Sequence, residues 1–120
     1  MNTNNPIIKL CIEGTQAEFD GRMDDACKLY RQAWETSRDD YEACIAAHYL
    51  ARCQDSPEET FYWNKMALER ALTVNNESVT DFFPSLYLNL GRSHELLGHR
   101  TEAKKFFDLA AELGVTHQME

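Results

Sequence analysis

The chain contains few residues that interrupt helices. Its 120 residues include only 5 glycines and 3 prolines. Glycine and proline are the two residue types least compatible with a helix interior. Apolar residues also recur at spacings of three and four, and no alternating apolar and polar pattern persists. The composition therefore predicts one mostly helical domain with an ordinary globular balance of 43% hydrophobic and 27% charged residues.

Long apolar runs and basic clusters are missing as well. No apolar stretch approaches the ~20 residues that a membrane-spanning helix needs. No basic region followed by an apolar run opens the chain, so a signal peptide is not expected. The net charge is −8 and the basic residues are scattered, which disfavours nucleic acid as a partner. We therefore expect a cytoplasmic protein that binds neither membrane nor nucleic acid.

Motifs for catalysis and cofactor binding are absent from the sequence. It has no HExxH, no Gly-x-Ser-x-Gly and no phosphate-binding loop, so we predict no cofactor, no metal and no enzymatic activity. An enzyme built around His48 and His94 is a less favoured alternative, which a shared deep pocket or a bound metal would support. Trp34 and Trp63 are interpreted as core residues. The cysteines form no CxxC pair, and we expect buried, reduced thiols at Cys11, Cys27, Cys44 and Cys53.

Seven residue types recur at one fixed offset. The distance from Gly14 to Gly91 is 77 positions, and six further pairs share it. A common spacing over about twenty residues indicates an array of similar units. The first set is Gly14, Gly21, Asp25, Ala26, Lys28, Tyr30 and Ala33, and the second is Gly91, Gly98, Glu102, Ala103, Lys105, Phe107 and Ala110.

The order of these residues resembles the tetratricopeptide repeat. The matching series are Leu10, Gly14, Gly21, Ala26, Tyr30 and Ala33, and Tyr87, Gly91, Gly98, Ala103, Phe107 and Ala110. In such a repeat a small residue lets two helices approach and an aromatic ring fills the space between them. The resemblance implies an all-α fold in which three antiparallel helix pairs stack as a short right-handed α-solenoid. It covers a single domain, 1–120, with units at approximately 7–38, 41–76 and 80–114.

Six helices are predicted within these units. Their expected ranges are about 7–19, 23–36, 41–54, 57–74, 80–97 and 101–113. The middle unit departs from the pattern, because His48 occupies its expected small position. About nine extra residues lie between Ala51 and Leu86, and this resembles the longer repeats of the kinesin light chain type.

The resemblance also implies a binding function for the concave face. Family ligands lie against the first helix of each unit, so we expect a protein or peptide partner there. Asn89 matches a position that holds the ligand backbone, and Arg52 and Arg92 are placed to pair with a carboxylate. The alternative is an ordinary solvated helix surface. The predicted binding residues are Glu42, Ile45, Tyr49, Arg52, Leu88, Asn89, Arg92 and Glu95, with Thr15 and Glu18 from the first unit.

The last helix carries a second apolar stripe beside the one used within its own pair. The stripe consists of Phe106, Leu109 and Leu113, and we expect no further helix to cover it. An exposed apolar patch of this kind marks an interface. The sequence therefore also predicts a homodimer or partner contact through this face. The competing interpretation of the stripe is a tail from Val115 to Met119 that folds back over it. The alternative to the groove function is a self-associating structural or regulatory oligomer with no separate ligand groove.

Overall fold

The computed structural model describes residues 4–74 and 77–114. Within these ranges the chain forms six α-helices and no strand, which confirms the all-α prediction. None of these helices has the length and apolar character that crossing a membrane requires. The helices are α1 Pro6–Phe19, α2 Met23–Thr36, α3 Asp40–Leu50, α4 Pro57–Thr73, α5 Phe83–Leu96 and α6 Arg100–Glu112.

The helices pack mainly against their neighbours in sequence. The most extensive contacts join α1 to α2, α3 to α4 and α5 to α6, so the three predicted pairs are present. The second helix of each pair also packs against the first helix of the next, and α1 touches α3. The right-handed sense of the stacking stays a prediction.

Side-chain caps begin three of the helices. The Asn5 side chain accepts hydrogen bonds from the backbone N–H groups of Ile7 and Ile8 and so caps α1. Asp39 caps α3, and Ser56 caps α4 through the Glu59 N–H. These caps satisfy backbone donors that have no partner within the helix. They explain why α1, α3 and α4 begin within one residue of their predicted starts.

The turns before α2 and α6 share one backbone conformation. Gly21 and Gly98 adopt positive φ angles of 79° and 81°, which glycine tolerates without steric cost. In each turn, the residue after the glycine donates its N–H to a carbonyl five positions earlier. The bonds run from Arg22 to Ala17 and from His99 to His94, both at 2.8 Å. This is the Schellman arrangement that closes a helix.

Close approach of the paired helices explains the other recurring glycines. A Cβ atom at Gly14 would lie 2.3 Å from the Tyr30 ring, and one at Gly91 would lie 2.5 Å from the Phe107 ring. The neighbouring alanines, Ala26 and Ala103, are buried. The two outer units therefore use the same small-residue and aromatic contact, as the repeat pattern predicts.

Two short 3₁₀ helices flank α4. They span Ala51–Cys53 and Glu77–Phe82 and lie in the part of the chain where extra residues were predicted. Because the second of them precedes α5, this helix begins at Phe83, three residues later than the sequence predicts. Helix α3 likewise ends at Leu50, before the predicted end at Gln54.

Two buried clusters form the core. One centres on α1, α2 and α3 and the other on α3, α4 and the start of α5. Trp34 and Trp63 meet edge to face with centroids 5.0 Å apart and pack against both clusters, although both rings are only half-buried. All four cysteines are free thiols. Cys11 and Cys44 are buried as expected, whereas Cys27 and Cys53 are only half-buried.

Candidate functional site

A cleft of about 190 Å³ lies where α3, α4 and α5 meet. It brings together three of the predicted binding residues, Arg52, Asn89 and Arg92. Its volume is below that of sites for drug-sized ligands, so it suits one anchoring side chain or a chain end. The lining residues are His48, Ala51, Arg52, Thr60, Asn64, Asn89, Arg92, Ser93 and Leu96.

A buried hydrogen bond forms the floor of the cleft. The Asn64 side-chain amide donates to the Ser93 hydroxyl at 2.9 Å, and the two residues are only 6% and 2% exposed. Removing either partner would leave a buried polar group unsatisfied, at a cost of about 1–3 kcal/mol. This bond therefore holds α4 against α5 and fixes the relative position of the cleft walls.

His48 and Asn89 face each other across the cleft. The Asn89 amide nitrogen lies 3.4 Å from His48 Nδ1, at the long end of the hydrogen-bond range. Burial lowers the pKa of His48, and the nearby Arg52 charge lowers it further. His48 is therefore neutral at pH 7, and its Nδ1 accepts from the Asn89 amide. In this arrangement the Asn89 carbonyl oxygen remains an acceptor for a ligand N–H group.

The two arginines at the rim differ in their surroundings. Arg52 donates to the Glu18 carboxylate at 2.9 Å, and Glu18 also accepts a short hydrogen bond from the Tyr30 hydroxyl. Arg52 is therefore tied to the first unit. Arg92 is exposed and forms no ion pair with any residue that the structure describes. Of the two predicted carboxylate-binding residues, Arg92 is the one that no acidic side chain pairs with in the described part of the chain.

The remaining exposed or half-buried candidates are not among the residues that line the cleft. Tyr49 is half-buried, stacks on Tyr30 with centroids 5.2 Å apart and meets the His48 ring edge to face. The Tyr49 ring thus packs against the His48 ring. Leu88 is half-buried and Glu95 is exposed on α5. Thr15 donates its hydroxyl hydrogen to the Cys11 carbonyl at 2.9 Å.

Two predicted binding residues lie in the interior instead. Glu42 and Ile45 are only 2% and 1% exposed, so they are not part of an accessible ligand surface. Arg38 donates to the Glu42 carboxylate at 2.6 Å and the Asn5 amide donates to it at 2.9 Å. Glu42 therefore joins the N-terminal ends of α1 and α3. The error arose because α3 is a central helix buried on several faces, and helical spacing alone does not show which face meets solvent.

The three residues of the predicted C-terminal stripe differ in their contacts and exposure. The Phe106 ring packs within its own pair, stacking on His94 with centroids 5.4 Å apart and on Tyr87 at 6.2 Å. It is therefore not an uncovered residue of the stripe. Leu109 is half-buried and Leu113 is 52% exposed. The expected covering segment from Val115 to Met119 lies outside the described residues.

His48 and His94 have different surroundings. His48 lines the cleft, whereas His94 contacts Phe61, Phe106 and His99. In the described part of the chain, no group of three or more His, Cys, Asp or Glu side chains is arranged to hold a metal ion. The cleft that His48 lines does not include His94.

Sequence reasoning did not place His48, Asn64 and Ser93 in the binding site, although it named His48 for the less favoured enzyme. Asn64 had a readable signal, because it shares a helix face with the buried Ala67 and Ala71. A polar residue on an otherwise apolar face needs a buried partner. His48 had a weaker signal, because it occupies the position of the middle unit where the repeat pattern expects a small residue. Ser93 had none.

No family model, curated protein or solved structure matches this chain.

Proposed function

We propose that this chain is a cytoplasmic protein-interaction module of the tetratricopeptide type that binds a peptide or protein segment at the cleft. The observation that carries the proposal is the meeting of Arg52, Asn89 and Arg92 at one cleft from two different units. A cation at the rim and an amide on the wall are the groups that recognise a carboxylate and a ligand backbone. We therefore infer an acidic side chain or a chain end as the anchor.

The surrounding contacts favour a preformed site. The Asn64–Ser93 bond fixes the floor and the Tyr49 ring supports His48. A site held in its binding geometry loses little side-chain entropy when a ligand arrives. Binding is thus expected to proceed with little refolding of the helices.

Arg92→Glu tests the proposal with little risk to the fold, because Arg92 is exposed and its α5 position makes no ion pair with a described residue. The matched control is Arg31→Glu, the same charge change at an exposed position on α2, outside the cleft lining. Both variants, checked for helicity by circular dichroism, are applied to an array of peptides with free or amidated C-termini and with or without acidic side chains.

The expected result is that the wild type and Arg31→Glu retain a common set of carboxylate-bearing peptides and Arg92→Glu loses it. Equal capture by Arg92→Glu and Arg31→Glu would place binding elsewhere on the molecule. Sensitivity to amidation then separates a C-terminal carboxylate from an acidic side chain as the anchor.

A further inference from the structure

Two histidine rings meet at the turn between α5 and α6. His94 lies in the last turn of α5 and His99 directly precedes α6. Their Nδ1 atoms are 3.1 Å apart and their ring centroids are 5.4 Å apart. The cleft lining includes neither ring.

The backbone of the turn fixes this pairing. His94 and His99 hold the two positions of the Schellman motif whose side chains normally make its apolar contact. The His99 N–H bonds to the His94 carbonyl at 2.8 Å, and the Gly98 N–H bonds to the Glu95 carbonyl at 3.1 Å. The matching turn in the first unit has Ala17 and Arg22 at these positions, with the same 2.8 Å bond. The chain thus carries one turn with two imidazoles and one equivalent turn with none.

Aromatic contacts hold one ring in place while the other stays accessible. His94 is 9% exposed. The Phe106 ring stacks on it at an interplanar angle of 8°, and the Phe61 ring meets it edge to face at 4.8 Å. His99 is exposed to solvent. The pair therefore combines a fixed nitrogen with a second one that adjusts by rotation of an exposed side chain.

The separation of the two nitrogens matches the bite of a chelated metal ion. Zinc–imidazole bonds are about 2.0–2.1 Å long. Two such bonds to nitrogens 3.1 Å apart enclose an angle of about 100° at the metal, between square-planar and tetrahedral values. In the metal-free pair one Nδ1–H donates to the other Nδ1. Chelation needs the donor ring to move this proton to Nε2, so no net proton is released.

We propose that His94 and His99 form a binding site for a divalent transition-metal ion of the imidazole-preferring class, with Cu²⁺ bound most tightly. Divalent ions bind nitrogen sites in an order that peaks at Cu²⁺. No third His, Cys, Asp or Glu joins the pair within the described ranges, so water completes the coordination shell. Bound metal joins α5 to α6 across the turn and stabilises this pair of helices by mass action.

The experiment is a Cu²⁺ titration of the full chain, without a polyhistidine tag, in a weakly coordinating buffer at pH 7. Isothermal titration calorimetry measures affinity and stoichiometry, and electron paramagnetic resonance reports nitrogen ligands. The central variant is His99→Arg, which copies the first-unit turn and changes only an exposed side chain. His94→Ala copies the other first-unit residue. The matched control is His48→Ala, which removes an imidazole that lines the cleft and does not belong to this pair.

We expect one Cu²⁺ whose spectrum shows two imidazole nitrogens, and a loss of affinity of at least about tenfold in His99→Arg. The control variant should bind Cu²⁺ as the wild type does. Wild-type affinity in His99→Arg, or no saturable binding by the wild type, would overturn the proposal. His99→Arg retains helicity in the expected case, so its result stands even if His94→Ala unfolds.

Discussion

Replacing Gly14 with alanine tests the closest contact between paired helices. The added Cβ would lie 2.3 Å from the Tyr30 Cε1 atom and 2.8 Å from its Cδ1 atom. Tyr30 has little room to retreat, because it is fully buried, stacks on Tyr49 and donates a hydrogen bond to Glu18. Relief of the clash therefore requires the two helices to separate.

Two opposing effects set the size of the change. Alanine is better than glycine in a helix interior by about 1 kcal/mol. Overpacking a core contact costs about 1–3 kcal/mol, and the fixed ring places Gly14 at the upper end of that range. The net expectation is a loss of about 2 kcal/mol in the free energy of unfolding. This corresponds to a fall of roughly 8 °C in the melting temperature.

Urea and thermal unfolding followed by circular dichroism measure this change. Gly91→Ala is the matched variant, because its Cβ would lie 2.5 Å from the Phe107 ring and that ring is only half-buried. Phe107 has more freedom to move, so the loss should be smaller. A Gly14→Ala protein as stable as the wild type, or more stable, would refute the reasoning, since helix propensity would then outweigh the ring contact.

Three further outcomes are expected. Ala103→Leu should lower the free energy of unfolding by about 1–3 kcal/mol, because Ala103 is only 4% exposed and a larger side chain would overpack its surroundings. An unchanged thermal melt would contradict the placement of Ala103 at a helix contact. The Arg38 hydrogen bond lowers the pKa of Glu42 from 4.5 to about 2, so its stabilisation is present above pH 4.5 and is lost as the pH falls towards 2. Urea unfolding at pH 7, 5 and 3 should show the part of this loss that falls above pH 3, about 1 kcal/mol after solvent screening, and Glu42→Gln should reduce it; equal pH dependence in both proteins would contradict the assignment. If the C-terminal face self-associates, light scattering should detect a dimer that Leu109→Lys with Leu113→Lys dissociates, and a wild type monomeric at high micromolar concentration would exclude it.

The candidate site was only partly predictable. Arg52, Asn89 and Arg92 were identified together because helical spacing and the repeat register place them on first helices. The same spacing wrongly included Glu42 and Ile45, because a central helix has more than one buried face. Phe106 was assigned to an exposed stripe for the same reason, although its ring packs on His94 and Tyr87.

Local chemistry in the sequence determined the helices and turns of this protein. Caps such as Asn5 and Ser56 act within a few residues, and the positive φ of Gly21 and Gly98 is a property of single positions. Each of these features can be predicted from a short segment of the sequence. The two glycines also share the fixed offset between the outer units.

Only the tertiary structure decided which polar groups meet. The Asn64–Ser93 bond spans 29 residues and the Arg52–Glu18 pair spans 34. Such pairings depend on the rotation of each helix about its axis when the units stack, and small rotations bury one face and expose the next. The cleft exists because those rotations place α3, α4 and α5 around it, which no single helix encodes.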